Sequence, residues 1–370
     1  MERIIVWGST DCGHRVASML QSMDDKKIVA IVDKNEERIG QLVYDIEIKS
    51  LDDMFKMLDN KEADSVIFAF RTEFFKDATA MLKDYDYIKG YIIPRWMLYF
   101  EKEYKWEQLV EIDLSKPRLK QFDVNLVDHC NMKCKGCLRF SNLVDEPVYA
   151  DYDVMIKDWE RMKELFWGVQ RIKLMGGEPM LSPDLCKYIV EARRIFPDAD
   201  IMVTTNAILI NDKCTELFKV MNENHVYFDI SLYEPMEKHI SRVEDILKAN
   251  GVWYVVNHTK GDFSKIICDK PLYDKDEAYR TCFASHCHHL REGRISVCSR
   301  PQYIHILNER YGTDIPNWDG VWNIYEEKDG WELDRKLSSS FEACKYCAPP
   351  VNYEWGRADS NTAKMEDWYV

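Results

Sequence analysis

Three cysteines in the run DHCNMKCKGC are the residues whose type and spacing most directly predict chemistry in this chain. Cys130, Cys134 and Cys137 follow the pattern Cys-x3-Cys-x2-Cys. An iron-sulfur cluster bound only by protein takes a cysteine thiolate on each iron, and a structural zinc ion takes four ligands. The segment is therefore one ligand short of a closed site. It predicts an iron-sulfur cluster with one open iron, at which a small molecule coordinates.

A zinc loop is the alternative for these cysteines, and it requires a fourth ligand nearby. His129 is adjacent in sequence but poorly placed to close the same site. The spacing of the cysteines resembles the radical S-adenosylmethionine (SAM) superfamily. This resemblance implies a [4Fe-4S] cluster whose open iron binds the amino and carboxylate groups of SAM. It also implies that SAM is split into methionine and a 5'-deoxyadenosyl radical, which takes a hydrogen atom from an unactivated carbon.

A second motif follows the cysteine segment after one helix and one strand. The apolar periodicity predicts a strand over 121–127, a helix over 153–167 and a strand over 171–175. The second strand is followed by Gly176, Gly177, Glu178 and Pro179. This run resembles the second motif of the superfamily, which implies that its glycines allow close approach of a ligand and that its glutamate accepts hydrogen bonds from the SAM ammonium.

Polar residues end the next predicted strands, where parallel sheets bind ligands. The alternation continues with a helix over 185–195 and strands over 200–204, 226–232 and 252–256. Thr205, Asn206 and Ser231 lie at carboxyl ends of these strands. The resemblance implies that they contact the ribose and carboxylate of SAM, whereas the alternative is that they are plain turn formers. Residues 117–275 are thus predicted to form the partial (β/α)6 barrel of the superfamily.

Four more cysteines beyond this barrel predict a second metal site. The first two flank Gly293, and the other two form a CxxC pair: Cys282, Cys298, Cys344 and Cys347. The pattern resembles the shortened auxiliary-cluster region called twitch, a relative of the SPASM domain. It implies an auxiliary [4Fe-4S] cluster without an open iron, in a domain spanning residues 276–370. A zinc ribbon is the alternative, because two cysteine pairs also suit tetrahedral zinc.

The sequence leaves open which cysteine completes the auxiliary site. Cys287 is nearer to Gly293 than Cys282, but the distance of Cys282 from this glycine matches the usual range of the family, so Cys282 is the predicted ligand. A cysteine that binds no metal could return a hydrogen atom to a substrate radical. Cys268 and Cys287 are the candidates for this catalytic role. No general base is predicted.

The first 116 residues predict a separate Rossmann-like domain. A strand, a glycine turn and a helix open the chain, and a second strand ends at Asp33. Gly8 and Gly13 match the outer glycines of the dinucleotide fingerprint, but Thr10 occupies the middle position and hinders close approach of a pyrophosphate. The domain resembles the front domains of bacterial polysaccharide-biosynthesis enzymes, which implies a nucleotide-sugar or comparable ligand; a purely structural role is the alternative.

Composition narrows the class of protein and its partners. The chain has 370 residues, 46% of them hydrophobic, and a net charge of −14, which disfavours the nucleic-acid backbone as a partner. It shows neither a secretory signal nor a long apolar span, and so no membrane association is predicted. Its 12 cysteines suggest thiolate ligands rather than disulfides, and hence a reducing cytoplasm.

Together these features predict an α/β radical SAM oxidoreductase or epimerase. The expected substrate is small: the carbinol carbon of a sugar, a polyol or a nucleotide-activated glycan precursor loses a hydrogen atom. A flavodoxin- or ferredoxin-type protein is the expected reductant. The alternative is maturation of a ribosomally made peptide, but such enzymes usually carry a winged-helix leader-binding module, which the front domain does not resemble. An inactive metal scaffold is disfavoured by the intact cysteine segment and Glu178.

Overall fold

The computed structural model describes residues 1–71, 74–258 and 263–370, with backbone only for residues 99 and 100. The chain forms two compact units. The first unit comprises Met1–Lys120, Lys163–Gln170 and Phe196–Asp200. The second unit comprises Gln121–Met162, Arg171–Ile195 and Ile201–Val370.

The first part of the chain is a doubly wound sheet. Its strands are β1 (Glu2–Trp7), β2 (Lys26–Val32), β3 (Leu42–Val43), β4 (Ile46–Lys49), β5 (Ser65–Phe68), β6 (Lys89–Ile92) and β7 (Val110–Ile112). Its helices are α1 (Asp11–Gln21), α2 (Leu51–Asp59), α3 (Phe75–Leu82) and α4 (Met97–Phe100). The strand order is β3-β4-β2-β1-β5-β6-β7, with parallel pairing from β4 to β6. This order of parallel strands confirms the predicted Rossmann-like fold.

The turn between β1 and α1 explains the spacing of its glycines. Gly8 has a φ of +120°, and a Cβ atom at Gly13 would lie 2.0 Å from the carbonyl oxygen of Gly8. Thr10 is the residue that precedes α1. The carboxylate of Asp33, at the end of β2, accepts a hydrogen bond from the backbone N–H of Ser9 at 3.0 Å. The outer glycines are therefore required by the packing of the turn itself.

From residue 118 onward, strands alternate with helices again. The strands are β8 (Arg118–Val127), β9 (Gly168–Gly176), β10 (Asp200–Thr205), β11 (Tyr227–Leu232), β12 (Tyr254–His258), β13 (Ser264–Ile267), β14 (His288–Arg291), β15 (Arg294–Ser296), β16 (Val321–Asn323) and β17 (Cys347–Asn352). The helices are α5 (Tyr152–Leu165), α6 (Leu185–Ile195), α7 (Thr215–Glu223), α8 (Glu234–Glu237), α9 (Ile240–Ala249), α10 (Lys275–Arg280), α11 (Arg300–Tyr311) and α12 (Gly330–Leu337). In the described part of the chain, none of the helices is both long enough and apolar enough to cross a membrane.

The second sheet confirms the predicted α/β architecture and continues with three strands from beyond the predicted barrel. Its order is β12-β11-β10-β9-β8-β14-β15-β16, while β13 pairs with β17 in a separate sheet. Strand β14 is parallel to β8, and it comes from the segment predicted to belong to the auxiliary domain. Its sequence, HHLR, is too short and too polar to show a strand period. The residues after β14 continue this sheet as an antiparallel hairpin.

A hydrophobic cluster joins the end of the chain to the cysteine segment. Phe140, which follows the third cysteine, is fully buried and packs with Trp368, whose ring centroid is 6.1 Å away. Ile267 at the end of β13 and Tyr303 on α11 belong to the same cluster. Burial of these large side chains fixes the C-terminal segment beside the cysteine segment.

Candidate functional site

The three cysteines of residues 130–137 border a cavity of about 310 Å³ in the second unit. This cavity lies at the carboxyl ends of neighbouring strands, as the sequence predicts. The structure brings nearly all of the predicted SAM-site residues to its wall: Cys130, Cys134, Cys137, Gly176, Gly177, Glu178, Thr205, Asn206 and Ser231. Pro179 follows Glu178 and is buried at the start of a short 3-10 helix.

The backbone of the cysteine segment is sharply turned. Lys133 has a φ of +52° and Gly136 a φ of +63°. A Cβ atom at Gly136 would lie 2.5 Å from the backbone carbonyl oxygen of Asp367, and so only glycine fits at this positive φ. Burial raises the pKa of Cys130 to about 11 and that of Cys134 to about 12. A bound cation reverses this preference, because a thiol that coordinates metal is deprotonated.

The C-terminal segment 353–358 holds the cysteine segment from the side. The N–H of Lys135 donates to the carbonyl oxygen of Gly356 at 2.7 Å. The N–H of Ala358 donates to the carbonyl oxygen of Lys133 at 2.9 Å. The indole N–H of Trp355 donates to the sulfur of Cys134 at 3.3 Å. Sequence reasoning missed this segment, because nothing in its composition marks it as a neighbour of residues more than 200 positions away.

His129 takes part in a local hydrogen bond. Its Nδ1 accepts a hydrogen bond from the N–H of Val148 at 3.1 Å, and its ring packs edge-on against Tyr149. Within the described ranges, no three side chains of His, Cys, Asp or Glu gather in the manner of a single-ion site.

The two glycines after β9 are required by contacts within the protein. A Cβ atom at Gly176, which has a φ of +141°, would lie 2.1 Å from the carbonyl oxygen of Val127. One at Gly177 would lie 1.9 Å from that of His129. The turn therefore packs directly against the end of β8 and the start of the cysteine segment. The two glycines therefore allow two backbone segments to pack closely. This role comes in addition to the predicted one, which is to allow close approach of a ligand.

Glu178 is a buried acid with well-defined partners. Only 1% of the surface of this residue is exposed to solvent. It accepts hydrogen bonds from the hydroxyl of Thr205 at 2.7 Å, from the N–H of Asn206 at 2.9 Å and from the N–H of Met180 at 3.2 Å. Burial raises the pKa of Glu178 to about 7, against the opposing effect of these donors. Thr205 thus positions Glu178, in addition to any contact with a ligand.

Aromatic side chains form one wall of the cavity. Tyr233, Phe263 and Tyr353 all line it, and the ring of Phe263 lies 5.5 Å from that of Tyr233 and 5.8 Å from that of Tyr353. Asn206 lies nearby and donates to Oδ1 of Asn131 at 2.8 Å. The sequence analysis did not single out these aromatic residues. Their rings exclude water from one side of the cysteine segment.

The four cysteines predicted for the auxiliary site all interact electrostatically with one buried cation, Arg300. The guanidinium of Arg300 donates a hydrogen bond to the sulfur of Cys347. Burial raises the pKa of Cys298 to about 12 and that of Cys344 to about 11, while Arg300 lowers both. The positive charge of Arg300 favours the anionic forms of Cys282, Cys298 and Cys344, and the thiolate is the form of cysteine that binds metal.

The two cysteines predicted as hydrogen donors lie in different surroundings. Burial raises the pKa of Cys287, whose charged neighbours are Asp123, Lys173 and Arg139. Cys268 instead interacts with Cys347 and Arg300. Cys268 therefore lies near the four-cysteine site, and Cys287 interacts both with Cys282 of that site and with the charged residues near the second sheet.

Arg139 connects the cavity to buried polar residues of the sheet. It lines the cavity and donates to Asp123 at 2.9 Å and to Asn125 at 2.8 Å, both on β8. One of its nitrogens lies 3.1 Å from Nδ1 of His289 on β14. Burial, followed by the positive charge of Arg139, holds the pKa of His289 well below its usual value, so this ring is neutral.

Asp229 on β11 is the centre of a second polar group on the same sheet. It accepts hydrogen bonds from Thr204 at 3.0 Å, from Lys173 at 3.3 Å and from Asn257 at 2.6 Å. Sequence reasoning missed both polar groups. The signal was present, since charged residues stand at alternate positions of strands that are otherwise apolar. Such a sheet face offers hydrogen-bonding groups next to the cavity.

The part of the chain that contains the cysteine segment is similar to a known protein family. Residues 124–255 match the radical SAM superfamily. The chain is 31% identical over 142 residues to GTP 3',8-cyclase of Clostridium botulinum (strain Hall), covering 37% of this chain and 43% of that protein. It is 30% identical over 146 residues to GTP 3',8-cyclase of Syntrophomonas wolfei, covering 37% and 42%. The chain thus spans less than half the length of these relatives.

Two solved structures are also similar to parts of the chain. The crystal structure of BtrN in complex with AdoMet and 2-DOIA is 17% identical with a TM-score of 0.43, covering 63% of this chain and 94% of that one. The crystal structure of UDP-D-quinovosamine 4-dehydrogenase from Vibrio fischeri is 16% identical with a TM-score of 0.27, covering 30% of this chain and 93% of that one.

The family match coincides with the cavity. It begins in β8 and ends in β12, and so it contains the cysteine segment, the turn around Glu178 and the polar residues at the ends of β10 and β11. The matched part of the chain alternates strands and helices in the order that the sequence predicts. The match to the radical SAM superfamily thus covers the segment of the chain that forms most of the cavity wall.

Proposed function

We propose that this chain is a radical SAM oxidoreductase that acts on a carbinol carbon of a sugar, a polyol or an activated glycan precursor. The radical SAM domain implies a [4Fe-4S] cluster and SAM as cofactors. Cys130, Cys134 and Cys137 would hold three irons and leave the fourth open for SAM. When bound, these cofactors supply a one-electron cleavage of SAM and thereby the capacity to take a hydrogen atom from a substrate carbon.

The observation that carries this proposal is the gathering of the cysteine segment, Glu178 and the strand-end residues around one cavity. A carboxylate has about four acceptor positions, and protein donors to Glu178 account for three, which leaves one for an ammonium. Asn131, next to the first cysteine, has a buried Nδ2 without a partner among the described residues. A ligand carboxylate would satisfy that donor. The residues present therefore suit the amino-acid end of SAM.

The polar residues near the cavity favour a hydroxylated substrate. Arg139, Thr204 and Ser231 line the cavity, and the first two are held in place by buried partners on the sheet. Fixed donors and acceptors bind hydroxyl groups well, because a substrate that lacked these groups would leave buried polar atoms without partners. This supports a sugar-like substrate over an apolar one.

The placement of the cysteines favours oxidation of the substrate. Neither Cys268 nor Cys287 is among the described residues that line the cavity. The cysteines around Arg300 would instead hold an auxiliary [4Fe-4S] cluster, which is able to accept an electron. The substrate carbon would lose a hydrogen atom, and the resulting radical would then lose a proton and an electron to give a ketone. The balance is one SAM and one alcohol converted to methionine, 5'-deoxyadenosine, a ketone and a proton.

Epimerisation is the second candidate, because Cys287 lies beside Arg139, which itself lines the cavity. In that reaction the carbinol radical would receive a hydrogen atom from the thiol on its opposite face, and the thiyl radical left behind would take up one electron from the reductant and one proton from water. The product then has the same mass as the substrate.

The test of this proposal is product analysis with anaerobically reconstituted protein, SAM and dithionite. The panel contains nucleotide-sugars, free polyols and unrelated peptides, and 5'-deoxyadenosine is measured beside each product. We expect a sugar or polyol that loses two mass units, in about equal amount to 5'-deoxyadenosine. A product of unchanged mass but inverted carbon would support epimerisation. Modification of peptides alone would contradict the proposal.

Replacement of Glu178 by glutamine is expected to weaken SAM binding without loss of iron. The change removes a charge-assisted contact to the SAM ammonium, which is worth about 1.5 to 3 kcal/mol, or roughly ten- to a hundred-fold in affinity. Equilibrium binding of SAM to the reconstituted protein measures this effect. Glu146→Gln, which removes the same charge at an exposed position, is the matched control and should leave the affinity unchanged.

The pH dependence of SAM binding gives an independent check on Glu178. Its pKa of about 7 means that the carboxylate loses its charge as the pH falls below 7. SAM should therefore bind more weakly to the wild type at pH 6 than at pH 8. The loss of affinity between these two pH values should be larger in the wild type than in Glu178→Gln, which lacks the titrating carboxylate. Titration of SAM itself is common to both proteins. Identical pH profiles would show that Glu178 does not contact the ammonium.

A further inference from the structure

The indole of Trp355 makes a direct contact with a sulfur of the radical SAM site. Its N–H donates to the sulfur of Cys134 at 3.3 Å, which is a normal distance for a donor on sulfur. The two residues are separated by 221 positions in the chain. Trp355 lies outside the part of the chain that matches the family, residues 124–255. The contact is thus a feature added to the domain by the C-terminal segment.

Contacts on both sides of Trp355 tie its backbone to the cysteine segment. Cys134 and Arg357 form an isolated antiparallel bridge, with Lys135 and Gly356 hydrogen-bonded beside it. The hydroxyl of Tyr353 donates to the carbonyl oxygen of Lys135 at 2.7 Å. The backbone that carries the indole is therefore tied to the segment that carries the sulfur, and the indole N–H is a donor already directed at the sulfur. Such fixed donors act without reorganisation when the charge on their acceptor changes.

On the proposed function, Cys134 is a thiolate ligand of the SAM-binding cluster. Reduction adds one electron to that cluster and increases the negative charge on its sulfurs. A hydrogen bond to sulfur stabilises the reduced form more than the oxidised form, and such bonds are among the factors that set cluster potentials. We infer that Trp355 raises the reduction potential of the SAM-binding cluster by donating its indole N–H to the thiolate of Cys134.

A purely structural role for Trp355 is the competing explanation, and the chain offers a matched residue to separate the two. Trp368 belongs to the same C-terminal region, and its indole N–H donates to the backbone carbonyl oxygen of Cys137 at 2.9 Å. Both tryptophans therefore tie the C-terminal region to the cysteine segment. Of these two tryptophans, only Trp355 donates its indole N–H to a sulfur atom. A structural role predicts similar effects for both residues, whereas tuning of the potential predicts an effect of Trp355 alone.

The experiment compares Trp355→Phe with Trp368→Phe and the wild type in reconstituted full-length protein. Phenylalanine keeps an aromatic ring but removes the N–H donor. Iron content is measured first, and the midpoint potential is then obtained from a redox titration followed by electron paramagnetic resonance. The signal that changes on addition of SAM reports the cluster with the open iron. We expect a lower midpoint potential for Trp355→Phe and an unchanged one for Trp368→Phe.

An unchanged potential in Trp355→Phe, or equal shifts in both variants, would overturn the inference. A second measurement on the wild type does not depend on the stability of a variant. Protein labelled with ¹⁵N at the tryptophan indole should show a ¹⁵N coupling to the reduced, SAM-responsive cluster, and absence of this coupling would also overturn the inference. Absence of any SAM-responsive signal in the wild type would instead contradict the proposed function.

Discussion

Simultaneous replacement of Cys130, Cys134 and Cys137 by alanine is expected to abolish SAM cleavage and to remove half of the bound iron. The proposed clusters require about eight irons per chain, and the auxiliary cluster alone about four. Without the three thiolates, no open iron remains for SAM. Iron and sulfide analysis of anaerobically prepared protein measures the first effect, and formation of 5'-deoxyadenosine in the presence of dithionite measures the second.

The control is a matched triple replacement of Cys12, Cys186 and Cys214 by alanine. These cysteines are free thiols at other places in the fold, so iron content and SAM cleavage should both persist. A complementary variant lacks the auxiliary cysteines and should lose the other half of the iron while it still cleaves SAM. SAM cleavage by the first variant would refute the assignment of the cluster. About four irons and one zinc in the wild type would favour a zinc ribbon at the auxiliary site.

Local features of the fold and site were accessible from the sequence. The cysteine segment places its three ligands within eight positions, and the run after β9 keeps Glu178 next to its glycines. The sequence pattern located α6, which has one buried face, and also β8 and β10, which are buried on both faces, to within a few residues. Thr205, Asn206 and Ser231, which the strand ends marked as candidate ligand contacts, line one cavity in the structure, and their contact with SAM stays a prediction.

Contacts between distant parts of the chain were not accessible in this way. The bond from Trp355 to Cys134 and the approach of Arg139 to His289 join residues that are 221 and 150 positions apart. No period or motif links such residues, since only the folded chain brings them together. The glycines illustrate a subtler limit. The pattern of Gly176 and Gly177 is visible in the sequence. Their close contacts with the backbone of residues 127 and 129 are visible only in the folded chain.

The auxiliary site combines both kinds of information. Spacing predicted Cys282 as a ligand but left Cys287 as a competitor. In the structure, Cys282 interacts with Arg300, the cation that also interacts with the other three predicted ligands. Cys287 interacts with Cys282 as well as with Asp123, Lys173 and Arg139, so the choice of Cys282 over Cys287 stays a prediction. Arg300 itself had no signature in the sequence, because an arginine after a cysteine is not a motif.

Replacement of Cys287 by serine is expected to leave the oxidation reaction intact, and this result bears most directly on the type of chemistry. Hydrogen-atom transfer requires near-contact geometry, and the described residues that line the cavity do not include Cys287 or Cys268. With a substrate deuterated at the carbinol carbon, deuterium should pass to 5'-deoxyadenosine, and the ketone should form at an unchanged rate in Cys287→Ser and in Cys268→Ser.

The same reaction in deuterated water distinguishes the alternatives at the level of single atoms. Oxidation converts the carbinol carbon to a carbonyl, so no solvent deuterium is expected at that carbon. Epimerisation would instead place one solvent deuterium at an inverted carbon, because a thiol exchanges its hydrogen with water. It would also make Cys287→Ser accumulate 5'-deoxyadenosine without the inverted product. Deuterium at a retained carbon-hydrogen centre would therefore refute oxidation and make the thiol of Cys287, beside Arg139, the hydrogen donor.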